Sequence, residues 1–274
     1  MTTTTLRHPA VAGRFYPRNP DDLRSEAHAY LSQTESDVAP VEAIGCIAPH
    51  AGYVYSGHVA GAVFARMKIP QRCVVLCPNH TGMGRALAMI SEGAWETPLG
   101  EVPIDAQLAA GLKHRFSALN EDAAAHRAEH AAEVELPFLQ LRQPELKFVP
   151  IALGTGQFEV LEQLGQALAD VIAALKEPIL IVASSDMNHY ESDAVTRVKD
   201  HRAIERILTL DPRGLHDVVT QQDISMCGFG PAVAMLTAAR ELGAKSAELV
   251  KYATSGDVSG DRNMVVGYAG VVVR

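Results

Sequence analysis

The chain has 274 residues, 47% of them hydrophobic and 20% charged, with a formal net charge of −8. This is the composition of a soluble globular protein, and its acidic balance without a basic stripe excludes the nucleic-acid backbone as a partner. No apolar run is long enough to span a bilayer, and Met1-Thr2-Thr3-Thr4-Thr5-Leu6-Arg7 lacks the apolar centre of a signal peptide, so a cytoplasmic location is expected.

Residues 8–17 read as an extended entry segment with turns. Asn19 caps a helix that Pro20 opens and that runs to about Gln33. The polar residues 34–40, closed by Pro40, form a linker within the fold. Strands are predicted near 43–48, 73–77 and 86–90, with a helix from Ser56 to Met67 between the first two. Residues 94–100 read as a turn-rich loop. Asp105 caps a helix to about Lys113, and the segment 126–141 ends as a helix. A strand covers 147–153. From Phe158 to Leu175 the residues Val160, Leu161, Leu164, Leu168, Val171, Ile172 and Leu175 keep helical spacing. Residues 178–183 form a buried strand. Asp193 caps a helix to Leu210, Asp211-Pro212 opens the next, and Gly230-Pro231 opens a third to Leu242. The runs 247–253 and 264–273 close the chain as strands. Alternating strands and helices predict a single α/β domain over 1–274: a central, mostly parallel sheet with helices on both faces, the last strands being free to run antiparallel.

The chemistry gathers at strand ends. Ile44-Gly45-Cys46-Ile47-Ala48-Pro49-His50 is an apolar run closed by proline, which cannot donate to a sheet ladder. Cys73-Val74-Val75-Leu76-Cys77-Pro78-Asn79-His80 repeats the device. Both histidines then sit at the carboxyl ends of parallel strands, where open α/β sheets bind ligands. Taken as neighbours in the sheet, the two strands would bring His50 and His80 to one point. A third apolar run, Ile179 to Ala183, opens into Ser184-Ser185-Asp186 and reaches His189. In Glu129-His130-Ala131-Ala132-Glu133, His130 and Glu133 are spaced i,i+3 and would share a helix face. Cys227 precedes a helix start, whose dipole favours the thiolate. Simpler readings apply elsewhere. Cys46, Cys73 and Cys77 behave as buried hydrophobes. His28, His58, His114, His126, His201 and His216 read as solvated surface groups, and Glu129, Glu133 and Glu135 as a solvated helix face.

These blocks, together with His8-Pro9-Ala10-Val11-Ala12-Gly13-Arg14-Phe15-Tyr16-Pro17, Ala48-Pro49-His50-Ala51-Gly52-Tyr53 and Cys227-Gly228, resemble the Memo family, component B of the bacterial AmmeMemoRadiSam group. They span nearly the whole chain in family order. The resemblance implies a fold similar to class III non-haem iron extradiol dioxygenases, with His50, His80 and Cys227 at the metal positions. It places His189 as the acid/base group with Asp186 beside it, and His130 or Glu133 at the pocket edge. Where animal relatives continue Cys-Gly with Arg-His-Pro, this chain has Phe229-Gly230-Pro231, so a less polar rim is expected.

Two imidazoles and a thiolate suit Fe(II), Cu or Zn, and a thiolate where the dioxygenases use carboxylate shifts the preference toward copper or zinc. Three functions follow as expectations. The first is a metal-dependent, dioxygenase-like oxidoreductase acting on a small molecule. The second is a non-catalytic module that binds a peptide or protein in the old cleft, as the adaptor role of animal relatives suggests. The third is a copper- or iron-handling protein. Radical-SAM and AMMECR1-like proteins of the same system are expected partners.

Overall fold

The computed structural model describes residues 5–33 and 39–274. The linker expected over 34–40 therefore lies outside the described residues except for Ala39 and Pro40. The chain opens with β1 (Leu6–Arg7) and α1 (Pro20–Ser32); the Asn19 side chain caps the helix by accepting from the N–H groups of Asp21 and Asp22. Next come β2 (Gly45–Ala48), α2 (Tyr53–Arg66), β3 (Arg72–Pro78) and β4 (Leu87–Met89). Helix α2 begins three residues before the expected Ser56, because the Tyr53 N–H is drawn onto the Phe15 carbonyl at 2.7 Å.

Residues 94–100 are not a loop. β5 (Ala94–Thr97) and β6 (Gly100–Pro103) form a hairpin, and β1 adds to it in parallel. The turn residues Pro98 and Gly100 mark only its tip. Then follow α3 (Ala106–Arg115), capped by Asp105, and the short β7 (Asn120–Glu121) and α4 (Ala124–Arg127). After these come α5 (Ala131–Arg142), β8 (Lys147–Leu153), α6 (Phe158–Leu175) and β9 (Ile179–Ser184). The last third holds β10 (His189–Glu191), α7 (Asp193–Leu208), α8 (Pro212–Gln221), α9 (Phe229–Glu241), β11 (Ala247–Thr254), α10 (Ser255–Ser259) and β12 (Val265–Val273). Ser192, not Asp193, occupies the cap of α7; Asp193 is its first residue and pairs with Arg197 and Arg262.

The main sheet runs β10-β12-β2-β9-β3-β8-β4-β7, with β11 paired to β12. Its centre, β2-β9-β3-β8, is parallel as expected. Both flanks bring antiparallel pairs, β12 with β2, β10 and β11 on one side and β4 with β8 on the other, so the sheet as a whole is mixed. The period-two alternation of side chains splits the core into two layers. Ile47, Val74, Leu76, Ile181 and Ala183 pack under α3, α6, α7, α8 and α9. Cys46, Ala48, Cys73, Val75, Cys77, Leu180 and Val182 pack under α1, α2 and α5. Each fully buried Leu, Val or Ile contributes roughly 1.5–3 kcal/mol relative to exposure. These layers hold the central strands rigid, and their carboxyl ends point to one edge of the molecule.

Candidate metal centre

β2 leads into His50, β3 into His80, and β9 into Asp186 and then His189. Strand β9 lies between β2 and β3, so the two histidine-bearing strands are not neighbours; the chain crosses over and fills the gap with the strand that delivers Asp186. The imidazoles still converge over the end of β9, where the His50 N–H donates to Asp186 at 2.8 Å. The ring centres of His50 and His80 are 5.1 Å apart.

The third member of the group is His130, at the N-cap position of α5, 5.4 Å from His50 and 4.8 Å from His80 between ring centres. One ligand nitrogen from each of the three lies within 4.8 Å of the others, an arrangement that could hold a metal ion. Cys227 stands outside this trio, with its Sγ 3.3 Å from His50 Nε2. Glu133 is turned away. It is fully buried behind α5, where it pairs with Arg7 and accepts from the N–H groups of Ala10 and Val11 and the Tyr16 hydroxyl. The i,i+3 spacing does not bring His130 and Glu133 into one site, because the 7–16 segment holds the Glu133 carboxylate through Arg7, Ala10, Val11 and Tyr16.

The trio opens into a cavity of about 590 Å³ that is also lined by Asp186, His189 and Cys227, with Phe15, Tyr190 and Tyr268 as aromatic walls. Tyr190 is 69% exposed and has φ of 61°, a left-handed conformation strained for a residue with a Cβ and typical of functional rims. Phe229 does not line the cavity; its ring centre lies 6.0 Å from that of His216.

The oxygens around the ring nitrogens decide which faces are free. Glu129 is fully buried and works as a bracket: its carboxylate takes the N–H groups of His80, His130 and Ala131 and the Nδ1 of His80 at 2.9 Å. His130 Nδ1 lies 3.5 Å from the same carboxylate. His50 Nδ1 meets the Ser184 hydroxyl at 2.7 Å. With the Nδ1 side of His50 and His80 held, their Nε2 atoms remain for a ligand, the arrangement seen where outer carboxylates and hydroxyls orient metal-binding histidines. His189 Nδ1 lies 2.9 Å from the Ser225 carbonyl, which can only accept, so the proton sits on Nδ1 and the lone pair on Nε2.

Charge follows burial. Desolvation, then the like charges of the neighbouring imidazoles, pushes His50 well below the usual histidine range. Burial also lowers His130, against the partial pull of Glu129. Burial would lower His80 as well, but the hydrogen bond and charge of Glu129 outweigh it and the net shift is upward. Asp186, buried and accepting from the His50 N–H at 2.8 Å, is pushed up to about 6 by desolvation. Cys227 departs from expectation: burial and the nearby Asp186 raise its thiol well above the usual range, and the start of α9 does not overcome them. Its loop is pressed against β9, since a Cβ on Gly228 would lie 2.3 Å from the Ser184 carbonyl oxygen.

His126 is also not a surface group. It is fully buried edge-on against Trp95, and the Glu129, Glu133 and Glu135 side chains are buried with it rather than forming a solvated face. Glu129, expected on a solvated face, and Ser184, noted only where a strand opens into polar residues, are the site residues whose roles the sequence did not assign. The available signal was position: Glu129 immediately precedes the helix-capping His130, and Ser184 is the first polar residue after an apolar strand.

The donor set fits a transition ion: three imidazoles, two of them biased to the neutral form that ligates, in a wide cavity with a thiol at its edge. Among the described residues no helix is long and apolar enough to cross a membrane.

Comparison with known proteins agrees with this architecture. An uncharacterized protein of Escherichia coli K12 shares the fold with a TM-score of 0.58 at 13% identity, over 83% of this chain and 98% of that one. A MEMO1 family protein of Methanopyrus kandleri is 42% identical over 98% of this chain and 99% of its own length. Another, from Methanothermobacter thermautotrophicus, is 41% identical over 96% of this chain and 99% of its own. The family described as Memo-like protein matches residues 7–272, and the chain belongs to it.

Proposed function

We propose that the protein is a metal-dependent redox protein, its whole chain from 1 to 274 serving one site at the carboxyl ends of β2, β3 and β9. The observation that carries this reading is the convergence of His50, His80 and His130, each with a ligand nitrogen within 4.8 Å of the others, on a cavity of about 590 Å³. His50 and His80 are ligands, as the sequence suggests, and His130 supplies the third nitrogen. Cys227, with its Sγ 3.3 Å from His50 Nε2, could add a thiolate if a bound cation displaced its proton. Iron(II), copper or zinc would supply Lewis acidity there and, for the first two, one-electron chemistry.

The remaining residues handle the organic co-reactant, a small molecule or peptide segment. Phe15, Tyr190 and Tyr268 give it apolar walls, and among the described residues no Lys or Arg lines the cavity to recognise a phosphate-rich ligand. His189 presents an Nε2 lone pair and acts as the base; the Ser225 carbonyl fixes its tautomer. Asp186 orients the His50 segment through the main chain and offers a second proton-transfer group near neutral pH.

The test is calorimetric titration of reduced protein with Fe(II), Cu(I) and Zn(II) under nitrogen. The expected result is one ion per chain, bound tighter than about 10 μM, or about −7 kcal/mol. His130→Ala should weaken binding by more than Cys227→Ser does. Absence of binding by all three metals would overturn the reading and leave a metal-independent binding cleft.

A further inference from the structure

The buried carboxylates around the centre are satisfied in different ways. Glu129 collects three main-chain N–H groups and an imidazole, Glu133 an arginine, a phenol and two N–H groups, and Asp186 the N–H of His50. Glu135 has none of these. It is fully buried on α5, its Oε2 has no partner, and Oε1 meets only the Ser184 hydroxyl at 2.8 Å.

Ser184 Oγ makes three short contacts: His50 Nδ1 at 2.7 Å, the Ala131 carbonyl at 2.8 Å and Glu135 Oε1 at 2.8 Å. A hydroxyl has a single proton to give and two lone pairs to offer. The Ala131 carbonyl can only accept, so the Ser184 proton must go to it. The other two contacts then need protons from the far side, one on His50 Nδ1 and one on Glu135. Giving the Ser184 proton to either of them leaves two bare oxygens facing each other at the Ala131 contact.

We infer that Glu135 is held as a neutral carboxylic acid and that, through Ser184, it locks His50 in the tautomer whose Nε2 lone pair faces the cavity. Glu135 is thus a positioning residue, built two steps behind a metal ligand, that orients the ring without adding charge to the site. Its surroundings agree. Burial pushes its carboxyl well above the usual range, the like charge of Asp186 adds to this, and the contact with Ser184, which pulls the other way, does not overcome them. On the opposite side of the ring, Cys227 Sγ lies 3.3 Å from Nε2, where a thiol proton meets the lone pair this tautomer leaves free.

The consequence for metal binding rests on the proposed function, whereas the proton assignment does not, and the experiment separates them. Infrared spectra of metal-free wild type and Glu135→Gln at neutral pH are expected to differ by a protonated-carboxyl stretch present only in the wild type. Nitrogen NMR of labelled histidine should report His50 as the Nδ1–H tautomer in both proteins, because the glutamine amide also donates to Ser184. In Ser184→Ala the tautomer should become mixed. If metal binds, Glu135→Gln should keep affinity within about twofold, while Ser184→Ala should lose about tenfold or more, the usual cost of removing an outer partner of a ligating histidine. A missing carboxyl stretch, or an Nε2–H tautomer in the wild type, would overturn the inference whether or not metal binds. Normal infrared and NMR signatures without metal binding would overturn only the metal reading.

Discussion

The three imidazoles that converge at the centre differ in their readiness to ligate, and that difference is measurable. Burial already keeps His50 and His130 neutral, whereas Glu129 holds a proton on His80 to higher pH than an ordinary histidine. A ligand must be deprotonated before it binds metal. As pH falls, proton competition therefore begins at His80, at or above the ordinary histidine value of about 6.5. In Cys227→Ser, which removes the thiol proton that metal binding would also release, affinity for Zn(II), measured by competition with a chelating dye, should fall about tenfold per pH unit from there, with one proton released per ion bound. A steeper fall, with two or three protons released in that range, would contradict the charge assignment. Glu129→Gln tests the bracket itself: it returns His80 toward neutrality but loosens its geometry. At pH 8, where competition by protons is small, affinity should drop by about 10- to 100-fold. At this scale the sequence showed His50 and His80 plainly, because each ends an apolar run with the same proline device. It put His130 only at the pocket edge and gave no role to Glu129 or Ser184, whose roles depend on partners far along the chain; Ser184 lies 134 positions from the ring it supports.

Among the elements, the short ones were hardest to read and turn out to carry the site. Strand β1 has only two residues, yet Arg7 within it spreads its guanidinium over Trp95 at 4.2 Å and pairs with Glu133. The same side chain donates to the His126 carbonyl at 3.1 Å and the Glu129 carbonyl at 2.7 Å. The turn that delivers Glu129 and His130 is therefore pinned from the other end of the molecule. No period of two or 3.6 exists in so short a strand, so hydrophobic patterning could not reveal it, and the β5–β6 hairpin that completes its sheet was masked by turn residues. By contrast α6, with five turns of regular apolar spacing, was legible to the residue. Arg7→Ala strips a buried carboxylate of its cation and two carbonyls of their donor. The expected loss is about 3–5 kcal/mol of stability in urea unfolding. Arg7→Lys should recover only part of it, since an ammonium cannot reproduce the fork. A loss below about 1 kcal/mol, the range of exposed pairs, would show that the N-terminal strand does not anchor the turn.

For the whole molecule, the α/β layering and the parallel centre were readable because βαβ units announce themselves through alternating patterns. Strand order was not, since nothing local states that β9 inserts between β2 and β3; that insertion is what sets Asp186 between the two histidines. The same buried edge shapes stability as a function of pH. Asp200 on α7 accepts from the Tyr252 hydroxyl at 2.7 Å and the Asn188 N–H at 2.8 Å, yet desolvation dominates and raises it to about 6. In the unfolded chain an aspartate titrates near 3.9. Between those values the folded protein keeps a proton that the unfolded chain has lost, so raising the pH favours unfolding. The contribution is fully present below about pH 4 and is lost as pH rises through about 6. A shift of about two units corresponds to about 3 kcal/mol. Asp200→Asn lacks this titration, while the other carboxyls, Asp186 included, remain in both proteins and cancel in the difference. The stability advantage of wild type over Asp200→Asn, measured by urea unfolding, should therefore shrink by about 2–3 kcal/mol from pH 4 to pH 7. A constant difference would mean that Asp200 titrates alike folded and unfolded; a growing one would mean that its hydrogen bonds outweigh its burial.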